Sequence, residues 1–110
     1  MNRSRHRLAD ASTLDFGNCR LDRTSHQLFR DEDEVVLTGK EYRLLEYFLE
    51  HRGKALKRQG IMNHVWGSSI LVTQRSVDRC VTTLRQKVES NPKAPAYIKT
   101  IRDVGYRFAG

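Results

Sequence analysis

Arg75, Arg79, Thr82 and Gln86 fall three or four residues apart in the stretch RSVDRCVTTLRQKV, residues 75–88. On an α-helix that spacing gathers them on one outward arc, with Asp78, Thr83 and Arg85 on its flanks. Val77, Cys80, Val81, Leu84 and Val88 fill the opposite arc and ask for burial. The outward groups hold no nucleophile paired with a base, so their chemistry is recognition. Arg offers a rigid fork of donors for a phosphate or for the O6/N7 edge of guanine. Thr and Gln can contact base edges or a thymine methyl. A merely solvated helix back more often alternates Glu and Lys four residues apart. This one is poor in acids, and an α-helix has the diameter to enter the major groove of B-DNA.

The charge distribution agrees. The net charge is +7, yet residues 1–54 carry ten Lys/Arg and ten Asp/Glu and therefore balance. Residues 55–110 carry ten Lys/Arg against only Asp78, Glu89 and Asp103, so the whole excess lies in the half that holds this helix. Such asymmetry suits a polyanionic partner, most often nucleic acid. A second basic group follows in YIKTIRDVGYRFAG, where Lys99, Thr100, Arg102 and Arg107 decorate two β-rich runs around RDVG. A narrow basic ribbon can put Arg into a minor groove, where negative potential is focused. Gly105 is expected to supply a positive φ for the turn.

Other chemistries find little support. Asp31, Glu32, Asp33 and Glu34 form a charge run at a turn with no partner groups, and His6, His26, His51 and His64 lack metal-ligand spacing. Cys19 and Cys80 show no C-x-x-C pattern and suit ordinary thiols in a reducing cytosol, while no glycine-rich phosphate loop is present. No enzyme, metal or cofactor is expected. No apolar run approaches the roughly 20 residues of a membrane-spanning helix, so no membrane partner is expected either. Nor is there the exposed aromatic pair of a single-strand stacking platform.

The elements that must position these residues can be read in order. Residues 1–13 are polar and rich in Arg and Ser, and read as a flexible tail or the remnant of an interdomain linker; a single domain is expected over 14–110. TLDFGN, CRLDR, QLFR and EVVL read as an antiparallel meander of four strands. LTGKEYRLLEYFLEHRG opens on a capping box, Thr38 with Glu41, and ends at Gly53. KRQGIMNHVWG reads as a shorter helix with Ile61, Met62 and Val65 inward, weakened by about 1 kcal/mol at Gly60. After the apolar loop GSSILV, Thr73 is placed to cap the third helix, which runs to about Glu89 before two prolines. Strands, three helices and a terminal hairpin make an α+β winged helix-turn-helix.

LTGKEYRLLEYFLEHRGK, NHVWG, RSVDRCVTTLRQKV and YIKTIRDVGYRF, in this order and spacing, resemble the C-terminal effector domain of OmpR/PhoB-type response regulators over about residues 14–110. The resemblance implies a winged helix behind a four-stranded N-terminal sheet, with the third helix in the major groove and the hairpin wing in the adjacent minor groove. It further implies sequence-specific binding of double-stranded DNA in transcriptional regulation, as the output domain of a cytoplasmic two-component system. A head-to-tail dimer on direct repeats, an upstream receiver domain and a sensor kinase acting on it belong to the same expectation. Trp66 and Arg75 match positions that contact phosphate. Arg79, Thr82 and Thr83 match groove-facing positions, and Arg85 a further backbone contact. Thr100 matches a phosphate contact beside the wing, and Arg102 the wing arginine. Asp78 and Gln86 complete the candidate surface by their place on the arc. Ser68, Ser69, Ile70, Leu71 and Val72 match a segment by which some members touch RNA polymerase. The alternative is a protein-interaction winged helix that docks on RNA polymerase or another regulator. The chain departs from the family in carrying Thr82 and Thr83 where basic residues are frequent. Asp103 stands where a wing glycine is frequent, and Lys57 where a capping Ser or Thr is common.

Overall fold

The computed structural model describes residues 12–67 and 72–110, which fall into two compact units, residues up to Leu37 and Thr38–Gly110. The first unit is the expected meander. Strands β1 (Thr13–Phe16), β2 (Cys19–Asp22), β3 (Gln27–Arg30) and β4 (Asp33–Val35) pair antiparallel in sequence order. Its register aligns Leu14, Leu21, Leu28 and Val35 on one face and Asp15, Arg20, Phe29 and Glu34 on the other. Leu21 and Leu28 are fully buried, as period-two alternation requires of the apolar face. The acidic run spans the β3–β4 turn and the start of β4; its turn residues, Asp31 and Glu32, both take positive φ. The first strand begins at Thr13, one residue inside the stretch read as tail; residues 1–11 of that stretch lie outside the described residues.

The second unit begins with α1 (Gly39–Glu50), followed by β5 (Ala55–Lys57), α2 (Arg58–Trp66), α3 (Gln74–Val88), β6 (Ile98–Ile101) and β7 (Gly105–Phe108). Both halves of the capping box form. The Glu41 amide donates to Thr38 Oγ1 at 3.1 Å, and the Thr38 amide to Glu41 Oε1 at 2.9 Å. Such a cap stabilises a helix by about 1 kcal/mol. Gly53 takes φ +83° just past the helix end, and its amide donates to the Phe108 carbonyl at 2.9 Å, tying the end of α1 to β7. Leu44, Leu45, Phe48, Ile61, Val65, Val77, Val81, Leu84, Ile98 and Phe108 are all fully buried, whereas Met62 is only half-buried.

Three expectations need correction. β5 is a strand where none was foreseen, and it pairs with β7, so the hairpin is two-thirds of a three-stranded sheet ordered β5-β7-β6. Gly105 does not have positive φ; the left-handed residue of the turn is Asp103, at φ +66°. Gly105 is needed for closeness instead, since a Cβ there would stand 2.2 Å from the Leu56 carbonyl oxygen of β5. Thr73 does occupy the N-cap of α3, but its side chain makes no capping bond.

Candidate nucleic-acid interface

Helix α3 divides as its sequence requires. Val77, Cys80, Val81, Leu84 and Val88 are buried, while Arg75, Arg79, Thr82 and Gln86 are exposed and Thr83 is half-buried. The Thr82 hydroxyl donates to the Asp78 carbonyl at 2.9 Å, and that of Thr83 to the Cys80 carbonyl at 3.1 Å. With its proton engaged, exposed Thr82 presents acceptor lone pairs and a methyl group. That is the complement of a base-edge amino group or a thymine methyl.

At the N-terminal end of α3 a cleft is lined by Thr38, Lys40, Glu41, Trp66, Arg75 and Arg79, among others, and its one acid, Glu41, is buried and paired with Lys87. Lys40 Nζ lies 5.8 Å from the centre of the half-buried Trp66 ring. Both Lys40 and Arg43 reach the Val65 carbonyl at the end of α2, at 3.4 and 3.3 Å. The first turn of α3, without a side-chain cap, adds the positive end of a helix dipole to Arg75 and Arg79. The cleft is therefore electropositive and suits a phosphate.

The acids of this half do not oppose that field equally. Glu89 is buried, and its carboxylate accepts the amides of Ala96 (2.7 Å), Tyr97 (3.0 Å) and Ile98 (2.8 Å), which fixes the approach to β6. Asp78 accepts the Tyr106 hydroxyl at 2.6 Å and Arg58 Nε at 2.8 Å. Burial raises the Asp78 carboxyl pKa, but the bonds from Tyr106 and Arg58 outweigh it and hold the group below its usual range. Burial, reinforced by the Asp78 hydrogen bond, pushes the Tyr106 hydroxyl up. The Asp78 side chain stays 46% exposed although paired, and Asp103 is exposed at the tip of the hairpin beside exposed Arg102.

Several cations are also engaged internally. Lys87 Nζ pairs with the buried Glu41 carboxylate at 2.5 Å. Burial raises the pKa of Glu41, but its bonds from Lys87, Thr83 and Thr38 outweigh this and keep it low. Arg85 donates from Nε and Nη2 to the Ile98 carbonyl, at 3.1 and 2.7 Å, and from Nη2 to Thr100 Oγ1 at 2.9 Å. Sheet register separates the basic residues of the hairpin. Thr100, Tyr106 and Leu56 are cross-strand partners on the side that meets α3, and Lys99, Arg107 and Ala55 are partners on the other side. Lys99 and Arg107 thus face away from the recognition arc. Arg58, Tyr106, Glu89 and Lys40 were not foreseen as contributors. Tyr106 lies two residues before Phe108 and reads as core, and no local pattern links Arg58 to Asp78.

Burial, with a smaller contribution from Glu41, pushes the Cys80 thiol up to about 11, which favours the neutral thiol at neutral pH. Among the described residues no group of three or more His, Cys, Asp or Glu could hold a metal ion, and no helix is long and apolar enough to cross a membrane. Of the apolar loop, Val72 is half-buried, and Ser68, Ser69, Ile70 and Leu71 lie outside the described residues.

Comparison with known proteins bears on the same surface. Residues 32–108 match the family described as "Transcriptional regulatory protein, C terminal". The chain is 40% identical over 97 residues to the transcriptional regulatory protein GltR of Pseudomonas aeruginosa, covering 87% of this chain and 40% of GltR. It is also 40% identical over 92 residues to the transcriptional regulatory protein AfsQ1 of Streptomyces coelicolor, covering 84% of this chain and 41% of AfsQ1. The chain thus spans about two-fifths of the length of these relatives. Among solved structures, the response regulator DrrB of Thermotoga maritima, an OmpR/PhoB homolog, superposes with a TM-score of 0.83 at 32% identity. The match covers 98% of this chain and 50% of DrrB. The RstA DNA-binding domain of Klebsiella pneumoniae, solved in complex with the RstA box, gives 0.78 at 30% identity, covering 88% of this chain and 96% of that one.

Proposed function

We propose, from the premise that the chain belongs to the C-terminal domain family of OmpR/PhoB-type transcriptional regulatory proteins, that it binds double-stranded DNA sequence-specifically. The family is one of transcription regulators, not of enzymes. The observation that carries the reading is the outward face of α3. Arg75, Arg79, Thr82 and Gln86 are exposed together there, while Asp78, the acid beside them, is paired with Arg58 and Tyr106. Helix α3 enters the major groove with Arg79, Thr82, Thr83 and Gln86 toward base edges. Trp66 and Arg75, in the cleft at its N-terminal end, hold one phosphate strand, and Thr100 and Arg102 hold the strand beside the wing. Asp78 serves the surface by fixing its neighbours.

Likeness to the family supports the partners we propose with it: a second copy head-to-tail on direct repeats, RNA polymerase through residues 68–72, an upstream receiver domain and a sensor kinase, all in the cytoplasm. Phosphate contacts set register and affinity, and base contacts set specificity. The test is a titration of the 110-residue domain with selected and random duplexes at about 0.05 and 0.2 M salt. Saturable binding that prefers the selected duplex and weakens steeply with salt is expected. Absence of saturable duplex binding overturns the reading in favour of a protein-docking module.

A further inference from the structure

Tyr106 of β7 is held by three side chains from two helices. Its hydroxyl donates to Asp78 of α3 at 2.6 Å, and the guanidinium carbons of Arg58 and Arg85 lie 5.2 and 5.5 Å from its ring centre. Arg58 is itself fixed by Asp78 at 2.8 Å. On the neighbouring strand, Arg85 places two N–H groups on the Ile98 carbonyl and one on Thr100 Oγ1. Both strands of the wing are therefore pinned to α3 through one cluster. The bond to Thr100 also has a polarity: its oxygen accepts from Arg85, which leaves its own proton to donate elsewhere.

We propose that Arg85, together with Tyr106 and Asp78, is a positioning residue that sets the angle between wing and recognition helix and aims the Thr100 hydroxyl, rather than a phosphate contact in its own right. This rests on the DNA-binding reading above. With Nε and Nη2 committed to the Ile98 carbonyl and Thr100 Oγ1, Arg85 keeps only its Nη1 donors, and turning the fork toward a phosphate would release the wing. Cation–π contact and charge-assisted bonds at a half-buried site favour retention. The wing contributes to binding only when held at the spacing that lets helix and hairpin meet adjacent grooves of one duplex. Arg85 thus acts on DNA through Arg102 and Thr100.

The two roles separate in a double-mutant cycle. Arg85→Gln and Arg102→Ala are each expected to weaken binding of a selected duplex about tenfold. Each corresponds to a contact of ordinary size. Acting through the wing, Arg85→Gln costs no more than about threefold once Arg102 is Ala. Tyr106→Phe keeps the ring, removes the bond to Asp78, and shows the same loss of effect in the Arg102→Ala background. It also carries the test if Arg85→Gln fails to fold by its thermal melt. Equal losses in both backgrounds, or no loss in either, overturn the positioning role while leaving DNA binding intact. A parent domain that binds no duplex overturns both.

Discussion

Asp103 is the one residue of the wing that works against its proposed partner, and the structure shows why it can stand there. It occupies the third position of the turn closed by the Val104 amide on the Ile101 carbonyl at 3.0 Å, with φ +66°. Glycine is the usual residue at such a position, and Asn and Asp are the side-chain-bearing residues that best tolerate it. Asp103→Asn keeps that tolerance and removes only the charge, so stability is expected to change by less than about 0.5 kcal/mol. A phosphate about 8 Å from the carboxylate opposes it by about 0.5 kcal/mol in water, falling to about 0.2 kcal/mol at physiological salt. With about three phosphates flanking the wing, the repulsion is about 0.6 kcal/mol at about 0.15 M salt and nearer 1 kcal/mol at about 0.05 M. Asp103→Asn should therefore bind a selected duplex about threefold tighter at the higher salt and about fivefold tighter at the lower. Fluorescence anisotropy against a labelled duplex reads both. Asp103→Gly should match Asn, because relief at φ +66° and the added freedom of the unfolded chain nearly cancel. Unchanged or weaker binding by the Asn variant at low salt would refute the placement of the wing tip among phosphates.

Arg79→Ala is expected to narrow the gap between selected and random duplex by about 1–3 kcal/mol, whereas Arg75→Ala weakens both alike and flattens the salt slope by about one phosphate; equal losses for Arg79→Ala on both duplexes contradict that division. Gly60→Ala should raise stability by about 1 kcal/mol in urea unfolding, since the new Cβ meets only the Tyr47 hydroxyl at 3.7 Å. Gly105→Ala should lose at least about 2 kcal/mol by forcing β5 from β7, 2.2 Å being no possible contact distance. Asp78 and Glu41 both have lowered folded pKa values, so their contribution is present above the ordinary values of 3.8 and 4.5 and is lost as pH falls through the lower folded ones. Stability should therefore fall from about pH 5 downward, and Asp78→Asn should make that fall shallower in urea melts across the range.

The parts of this molecule that were legible in its sequence are those written in local spacing. The capping box of Thr38 and Glu41, the inward arc of α3 and the four short strands all follow from neighbours within a few residues. What escaped notice depends on partners far along the chain. β5 is three residues long, too short for alternation to show, and its partner β7 lies about fifty residues later. Gly105 looks like a turn glycine until Leu56 is seen against it. The charges of Arg85 and Lys87 look free in the helix pattern, because nothing local reveals that Ile98, Thr100 and Glu41 receive them. The outward arc of the candidate surface could thus be found from periodicity, while the division between side chains that face out and those that fix the scaffold could not.

Chemical protection of a selected duplex tests the central claim most directly. With α3 in one groove and the wing in the next, guanine N7 positions in the major groove should be shielded from methylation, and sugars of the adjoining minor groove from hydroxyl radicals. Arg79→Ala should abolish the first at a single base step, and Arg102→Ala the second. Protection confined to one groove, or a pattern indifferent to both substitutions, would contradict the account.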